Sequence, residues 1–423
     1  MTTRFLLNPD AAGFVADESP SRAPLELHRK LTGYAPTPLV QAPAVARELG
    51  VGEVWVKDES SRLGLPAFKT LGASWASYRA IEDRLGRAIG EWSTLDELAE
   101  RLAVLRPLTL CAATDGNHGR AVARMARLLG FSSVIFVPKG TAQARIEAIE
   151  SEGAAVTVVD GTYDDAVARS AEEASAQCLV ISDTSWPGYT QVPEWVIEGY
   201  STIVWEADDE LERRGVPQPD VVPVQMGVGA LAGAVTRHYR RPGLEDRPRL
   251  LGVEPTRAAC VLASMEAEEI VTIPGPHDSI MAGLNCGTPS LIAWPTVSRG
   301  IDVYVAVPDE RAQEAMRLLA RAGVVSGESG AAGLAGLLEV VRSPDTAPAR
   351  ELLALEPSSR VLVLSTEGAT DPGAYLEIVG REPSAVASSE PFSSQPPGRS
   401  PVEGATPSAD TSAGTPQVSV EDS

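Results

Sequence analysis

The stretch Phe68-Lys69-Thr70-Leu71-Gly72-Ala73 sets one amine among apolar and small residues, with no other charge between Leu63 and Tyr78. Desolvation disfavours the ammonium form, so such a lysine holds more free amine near neutral pH and can form an imine with a carbonyl group. The competing reading is a lysine lying along a half-buried helix with its amine in water. Three further segments have residue types suited to work with it. In Thr114-Asp115-Gly116-Asn117-His118-Gly119, amides at a helix start could hold a carboxylate while Asn117 donates to a nearby oxygen. The same residues also suit a plain capping turn. In Met226-Gly227-Val228-Gly229-Ala230-Leu231-Ala232-Gly233, glycines let backbone amides approach a phosphate closely. No Gly-Lys-Ser/Thr follows, which excludes a nucleotide-triphosphate loop. A dinucleotide fingerprint stays open, because Gly227-x-Gly229-x-x-Ala232 fits its relaxed form and Glu254 ends the next strand, where a ribose-binding acid belongs. Finally, Ser365-Thr366-Glu367-Gly368-Ala369-Thr370-Asp371 puts hydroxyls at a strand end, where they could bond a ring nitrogen or simply shape a turn.

These segments need a frame, and the apolar pattern provides one. Strand candidates fall at 54–56, 108–112, 134–137, 155–159, 179–182, 221–226, 250–253, 303–307 and 361–364. Between them, residues 121–129, 142–150, 166–176 and 311–321 carry apolar side chains at three- and four-residue spacing, the period of a helix with one buried face. This alternation predicts a doubly wound α/β chain with two mostly parallel sheets covered by helices. Ligands of such folds gather at the carboxyl ends of strands, where all three loops fall.

Composition narrows the function classes. The 423 residues carry 57 acidic and 36 basic side chains, a formal charge of -21, which repels nucleic-acid phosphates and anionic lipid. No apolar run suggests a membrane span and no signal-peptide pattern opens the chain, so a cytoplasmic protein is expected. Cys111, Cys178, Cys260 and Cys286 form no C-x-x-C pair and read as free thiols, with a Cys260–Cys286 pairing left open. His118 reads as a capping-loop residue, and His28, His238 and His277 have no ligand spacing, so no metal is expected. From 382 to 423 the chain turns to Pro, Ser, Gly, Ala and acid, which predicts a disordered tail after a folded unit of residues 1–381.

Taken in order, the lysine, the asparagine loop, the glycine loop and the hydroxyl loop resemble the fold type II pyridoxal-phosphate enzymes, the tryptophan synthase β and threonine dehydratase group. The likeness spans residues 36–375, with Lys57-Asp58-Glu59 standing for the K-x-E that precedes the lysine segment. It implies pyridoxal phosphate between two domains, the smaller at about 90–200 inserted in the larger, and usually a homodimer. It also implies that Lys69 carries the cofactor, Asn117 bonds the pyridoxal 3-oxygen, Gly227, Val228, Gly229, Ala230 and Leu231 form the phosphate cup, and Ser365 meets the ring nitrogen, with Thr366 next for that role. Within this group, longer segments resemble the 2,3-diaminopropionate ammonia-lyases. They are Lys57-Asp58-Glu59-Ser60, Thr114-Asp115-Gly116-Asn117-His118-Gly119, Asp183-Thr184-Ser185-Trp186-Pro187-Gly188-Tyr189-Thr190, Met281-Ala282-Gly283-Leu284-Asn285-Cys286-Gly287, Ser326-Gly327-Glu328-Ser329-Gly330 and Ser365-Thr366-Glu367-Gly368. Pro66 departs from the polar residue expected there.

That narrower likeness implies elimination of ammonia from a small amino-acid substrate of either configuration, leaving pyruvate and a second ammonia. Asp115 stands where hydroxy-amino-acid dehydratases carry a small or hydroxyl residue. A carboxylate there could take the Cα proton or attract a β-ammonium group. Asp183 resembles the family's second catalytic aspartate, and Thr114, Asp115 and Gly116 are the expected substrate contacts. A serine or threonine dehydratase, a dehydrogenase and an inactive cofactor-binding relative are the competing functions.

Overall fold

The computed structural model describes residues 3–114 and 116–388. Its strands are β1 (Phe5–Leu7), β2 (Leu39–Gln41), β3 (Glu53–Asp58), β4 (Thr109–Ala113), β5 (Ser132–Pro138), β6 (Ala155–Val159), β7 (Cys178–Val180), β8 (Val221–Gln225), β9 (Arg249–Pro255), β10 (Val303–Val307) and β11 (Arg360–Ser365). Seven of them make one sheet in the order β1-β10-β9-β8-β11-β3-β2, and four make a second in the order β6-β5-β4-β7. The smaller sheet is parallel throughout. In the larger one only β1 and β2, at the two edges, run antiparallel to their neighbours.

The expected α/β architecture of two mostly parallel, helix-covered sheets is therefore present. Strands β8 and β10 are buried along their whole length, as apolar runs without alternation must be when helices cover both faces. Every strand expected from the sequence forms, with ends shifted by a few residues. The short strands β1 and β2 are the additions.

Pairing of β11 with β3 in parallel sets Ser365 opposite Asp58, so the lysine segment after β3 and the hydroxyl loop after β11 leave the sheet at the same edge. The lysine helix, Lys69–Leu85, packs against the long helix Gln191–Arg213. Glycines make the crossing close: a Cβ on Gly72 would lie 2.5 Å from Tyr200 Cε1, and one on Gly199 would lie 2.6 Å from the Leu71 carbonyl. Any larger residue would push the two helices, and Lys69 with them, apart.

Two differences from the sequence reading concern helix ends. Helix Tyr163–Ala171 starts earlier than expected because Thr162 and Asp165 form a reciprocal capping box. The stretch expected to be tail contains the short helix Pro383–Ala387, whose Val386 is fully buried. One apolar side chain on a single Pro-started turn leaves no periodic signal. Residues 389–423 lie outside the described residues. Among the described residues, no helix is long and apolar enough to cross a membrane.

Candidate active site

Lys69 is the first residue of its helix, and the loop that delivers it is anchored at both ends. Upstream, a buried ionic network holds the chain: Lys57 Nζ lies 2.7 Å from Glu206 Oε2, while Arg62 bonds Glu206 Oε1 at 2.7 Å and Glu59 Oε1 at 2.6 Å. Removing one partner of such a group would strand a buried charge, at a cost of about 3–5 kcal/mol. The K-x-E segment thus reads as scaffold. Downstream, Phe68 N donates to Thr366 O and Gly368 N donates to Pro66 O, stitching the lysine segment to the hydroxyl loop.

Lys69 Nζ reaches 2.5 Å from Asp183 Oδ2 in a cavity wall. The other oxygen of Asp183 accepts from the Tyr163 hydroxyl at 2.9 Å. Burial would raise the Asp183 pKa, but the Lys69 charge and the bonds from Lys69 and Tyr163 outweigh it and hold the carboxyl well below the usual carboxylate range. Asp183 is therefore ionised at neutral pH. His118 also lines the cavity, donating from Nε2 to Ile181 O at 2.7 Å. Burial lowers its pKa, so its ring stays neutral.

The same cavity is lined by Thr114, Asn117, Gly227, Val228, Gly229, Ala230, Leu231 and Thr366. Asn117 opens the helix Asn117–Leu129 and donates from Nδ2 to Glu367 Oε2, which joins the small sheet to the hydroxyl loop. Gly229 turns the chain with φ +95° into the helix Ala230–Tyr239. Amides of a first helical turn have no intrahelical acceptors, so this turn presents donors to the cavity, as a phosphate requires. A Cβ at Gly227 would come 3.1 Å from Cys286 Sγ, so the bare backbone keeps the turn open. The residues fit pyridoxal phosphate: an amine, an amide-rich turn and a hydroxyl face one cavity.

Not every expected residue joins it. Ser365 stands off the cavity: it is fully buried, its Oγ bonds Ser326 Oγ at 2.9 Å, and Thr366 takes the cavity-facing position. Side chains alternate across a strand end, so only one of two adjacent hydroxyls can face inward. Gly116 is not among the lining residues, and its amide donates to Thr114 Oγ1. Asp115 lies outside the described residues. Glu254 cannot serve a ribose, because both its oxygens accept from Val261 N and Leu262 N at 2.8 Å and the residue is fully buried. Burial pushes its pKa up to about 8 against the lowering effect of those bonds. All four cysteines are free. Reading the sequence missed Tyr163, Tyr200, Gln225 and Glu367 as cavity residues. The Thr162-x-x-Asp165 capping pattern would have moved the helix start to Tyr163.

Residues 30–366 match the family described as pyridoxal-phosphate dependent enzyme, and the chain belongs to that family. Among curated relatives, diaminopropionate ammonia-lyase of Escherichia coli (strain K12) is 38% identical over 376 residues, covering 88% of this chain and 94% of its own. The Salmonella typhimurium enzyme of the same name is 37% identical, covering 84% and 90%. The crystal structure of the Escherichia coli lyase, in complex with an aminoacrylate-PLP azomethine reaction intermediate, is similar with a TM-score of 0.81 and 36% identity, over 90% of this chain and 97% of that one.

Proposed function

We propose that this protein converts D- and L-2,3-diaminopropionate and water into pyruvate and two molecules of ammonia, using pyridoxal phosphate held through Lys69. The observation that carries the reading is the contact of Lys69 Nζ with Asp183 Oδ2 at 2.5 Å, beside the amide-rich turn of Gly227 and Gly229. Similarity to the diaminopropionate ammonia-lyases supports the choice of substrate. When bound, the cofactor supplies an electron sink for charge left on Cα.

The chain's own residues supply the rest. Residues 227–231 hold the phosphate with backbone amides, Asn117 donates to the phenolic oxygen, and Thr366 meets the ring nitrogen. Asp183, ionised and held by Tyr163, accepts the Cα proton on one face. Asp115, carried over from the likeness to the diaminopropionate ammonia-lyases, is assigned the same task for substrates of the opposite configuration. The second substrate amine enters as an ammonium and leaves as neutral ammonia, so carboxyl groups beside the scissile bond favour it over a hydroxyl group. Buried Phe68 and Tyr200, with ring centroids 4.6 Å apart, form an apolar part of the cavity wall beside Lys69. A homodimer in the cytoplasm goes with this reading, as do the free thiols.

The test is incubation of the purified holoenzyme with D-diaminopropionate, L-diaminopropionate and L-serine, measuring pyruvate and ammonia. Turnover of both diaminopropionates with two ammonia per pyruvate is expected. Turnover of L-serine alone, with one ammonia per pyruvate, would overturn the substrate assignment. Lys69→Ala should lose the visible absorption of the lysine-bound cofactor and all turnover. A variant that keeps both would remove Lys69 from the role.

A further inference from the structure

Strand β8 is apolar until its last residue, Gln225, which is only 3% exposed. Its Nε2 lies 2.7 Å from Thr366 Oγ1, 3.1 Å from Leu364 O, 3.2 Å from Ser329 O and 3.3 Å from Gly330 O. Three of these neighbours are carbonyls, which only accept, so the nitrogen and not the oxygen of the amide must face them. The opposite flip would aim a carbonyl oxygen at three others. Oε1 is left buried without a hydrogen-bond partner among the described residues. A buried acceptor without a donor is costly, and an apolar residue would avoid it, so glutamine here calls for a compensating role.

The Thr366 hydroxyl shows what that role is. Amide Nε2 has two hydrogens for these four neighbours, and the Thr366 oxygen, the nearest at 2.7 Å, takes one of them, which commits the lone pair on that side. The single hydrogen of the hydroxyl must go elsewhere, and among the described residues it finds no acceptor. Thr366 lines the cavity, and Gln225 lines it alongside. Ser365 differs: its hydroxyl is taken by Ser326 and buried.

We propose that Gln225 is a positioning residue that fixes the Thr366 hydroxyl as a donor into the cavity, so that the cofactor's ring nitrogen is met as an acceptor and kept without a proton. The inference rests on the cofactor reading of the preceding subsection and adds a residue through which the chain sets the ring's protonation. Gln225 directly precedes Met226 and the glycine turn, and it also bonds the Ser329 and Gly330 carbonyls and the end of β11. One side chain thereby ties the phosphate turn to the ring-nitrogen hydroxyl.

The experiment compares holoenzymes of wild type, Gln225→Met, Gln225→Glu, Thr366→Val and the Gln225→Met/Thr366→Val double variant. Met keeps the length and removes the donor, whereas Glu replaces the donor with an acceptor that would pull the Thr366 hydrogen away from the cavity. Visible absorption is recorded across a range of pH on both sides of neutrality. Wild type should keep one band position, and both Gln225 variants should show a band that moves with pH. Their kcat should fall about tenfold with KM within about twofold, the size expected for one lost hydrogen bond. In the Thr366→Val background, Gln225→Met should add nothing further. Additive losses, or pH-independent spectra in every variant, would overturn the inference. Should Gln225→Met fail to fold, the spectrum of Gln225→Glu decides by the same criterion. No cofactor band even in wild type would sink the cofactor reading itself, whereas a wild-type band with additive variants sinks this inference alone.

Discussion

Tyr163 meets the proposed chemistry through its hydrogen bond to Asp183, and that bond bears on the pH dependence. Its hydroxyl donates to Asp183 Oδ1 at 2.9 Å and is one of the influences holding that carboxyl low. Tyr163→Phe removes a donor to the charged form, so the Asp183 pKa must rise. Activity that needs the carboxylate is lost below its pKa, and the acidic limb of kcat/KM against pH therefore moves upward in the variant. At neutral pH the loss should be about tenfold, the size of one lost hydrogen bond to a base that itself stays in place. An unmoved acidic limb would show that Tyr163 serves packing only. Residues of this kind also mark how far single side chains were legible. Lys69, Asn117 and the glycines stood out because their types are unusual at strand-to-helix junctions. Tyr163 sits one residue beyond a Thr that looked like ordinary loop, and Gln225 ends a run that otherwise reads as plain apolar strand. Thr366 and Ser365 carry the same functional group, and only the direction of the chain after β11 separates them.

At the scale of elements, the central strands were legible because runs such as Val303–Val307 are apolar without alternation and are bounded by turn residues. The edge strands β1 and β2 span three residues each, too few for any period, and are fixed by neighbours distant in sequence. The glycine turn shows what an element boundary can decide. Gly229, at φ +95°, occupies a backbone region that side-chain-bearing residues rarely adopt, although a Cβ there would meet nothing closer than 3.5 Å. The constraint is conformational rather than spatial. Gly229→Ala should therefore cost only about 1 kcal/mol of stability. Its larger effect should fall on cofactor affinity, because relaxing that φ swings the first-turn amides away from their common focus. Fluorescence titration of the apoprotein with pyridoxal phosphate should show about tenfold weaker binding or more, for the loss of one well-placed donor. Unchanged affinity would remove the turn from phosphate binding.

Across the whole molecule, the sheet order was the least legible feature, since nothing local in β3 says that its neighbour will be β11, some three hundred residues later in the chain. What fixes that arrangement is burial over long distances, and His28 is one of its polar fasteners. The residue is fully buried, with Nε2 3.0 Å from Leu71 O and Nδ1 2.8 Å from Thr202 Oγ1. Because the carbonyl only accepts, Nε2 donates to it and Nδ1 receives the Thr202 hydrogen, so the ring is neutral and bridges the lysine helix to the helix Gln191–Arg213. Burial, with help from the Arg62 charge, lowers its pKa to about 3. The folded value lies below the unfolded one of about 6.5, so protons favour the unfolded chain throughout the interval between them. The stabilisation from His28 is complete above about pH 6.5 and is lost progressively as pH falls toward 3. His28→Asn should cost about 1–3 kcal/mol at pH 8, where it leaves buried partners unsatisfied. That gap should narrow by about 2 kcal/mol at pH 5, since only the wild type retains the group whose protonation is penalised. Urea unfolding of both proteins at the two pH values measures it. A gap that stays constant or widens on acidification would mean that His28 is not held neutral in the fold.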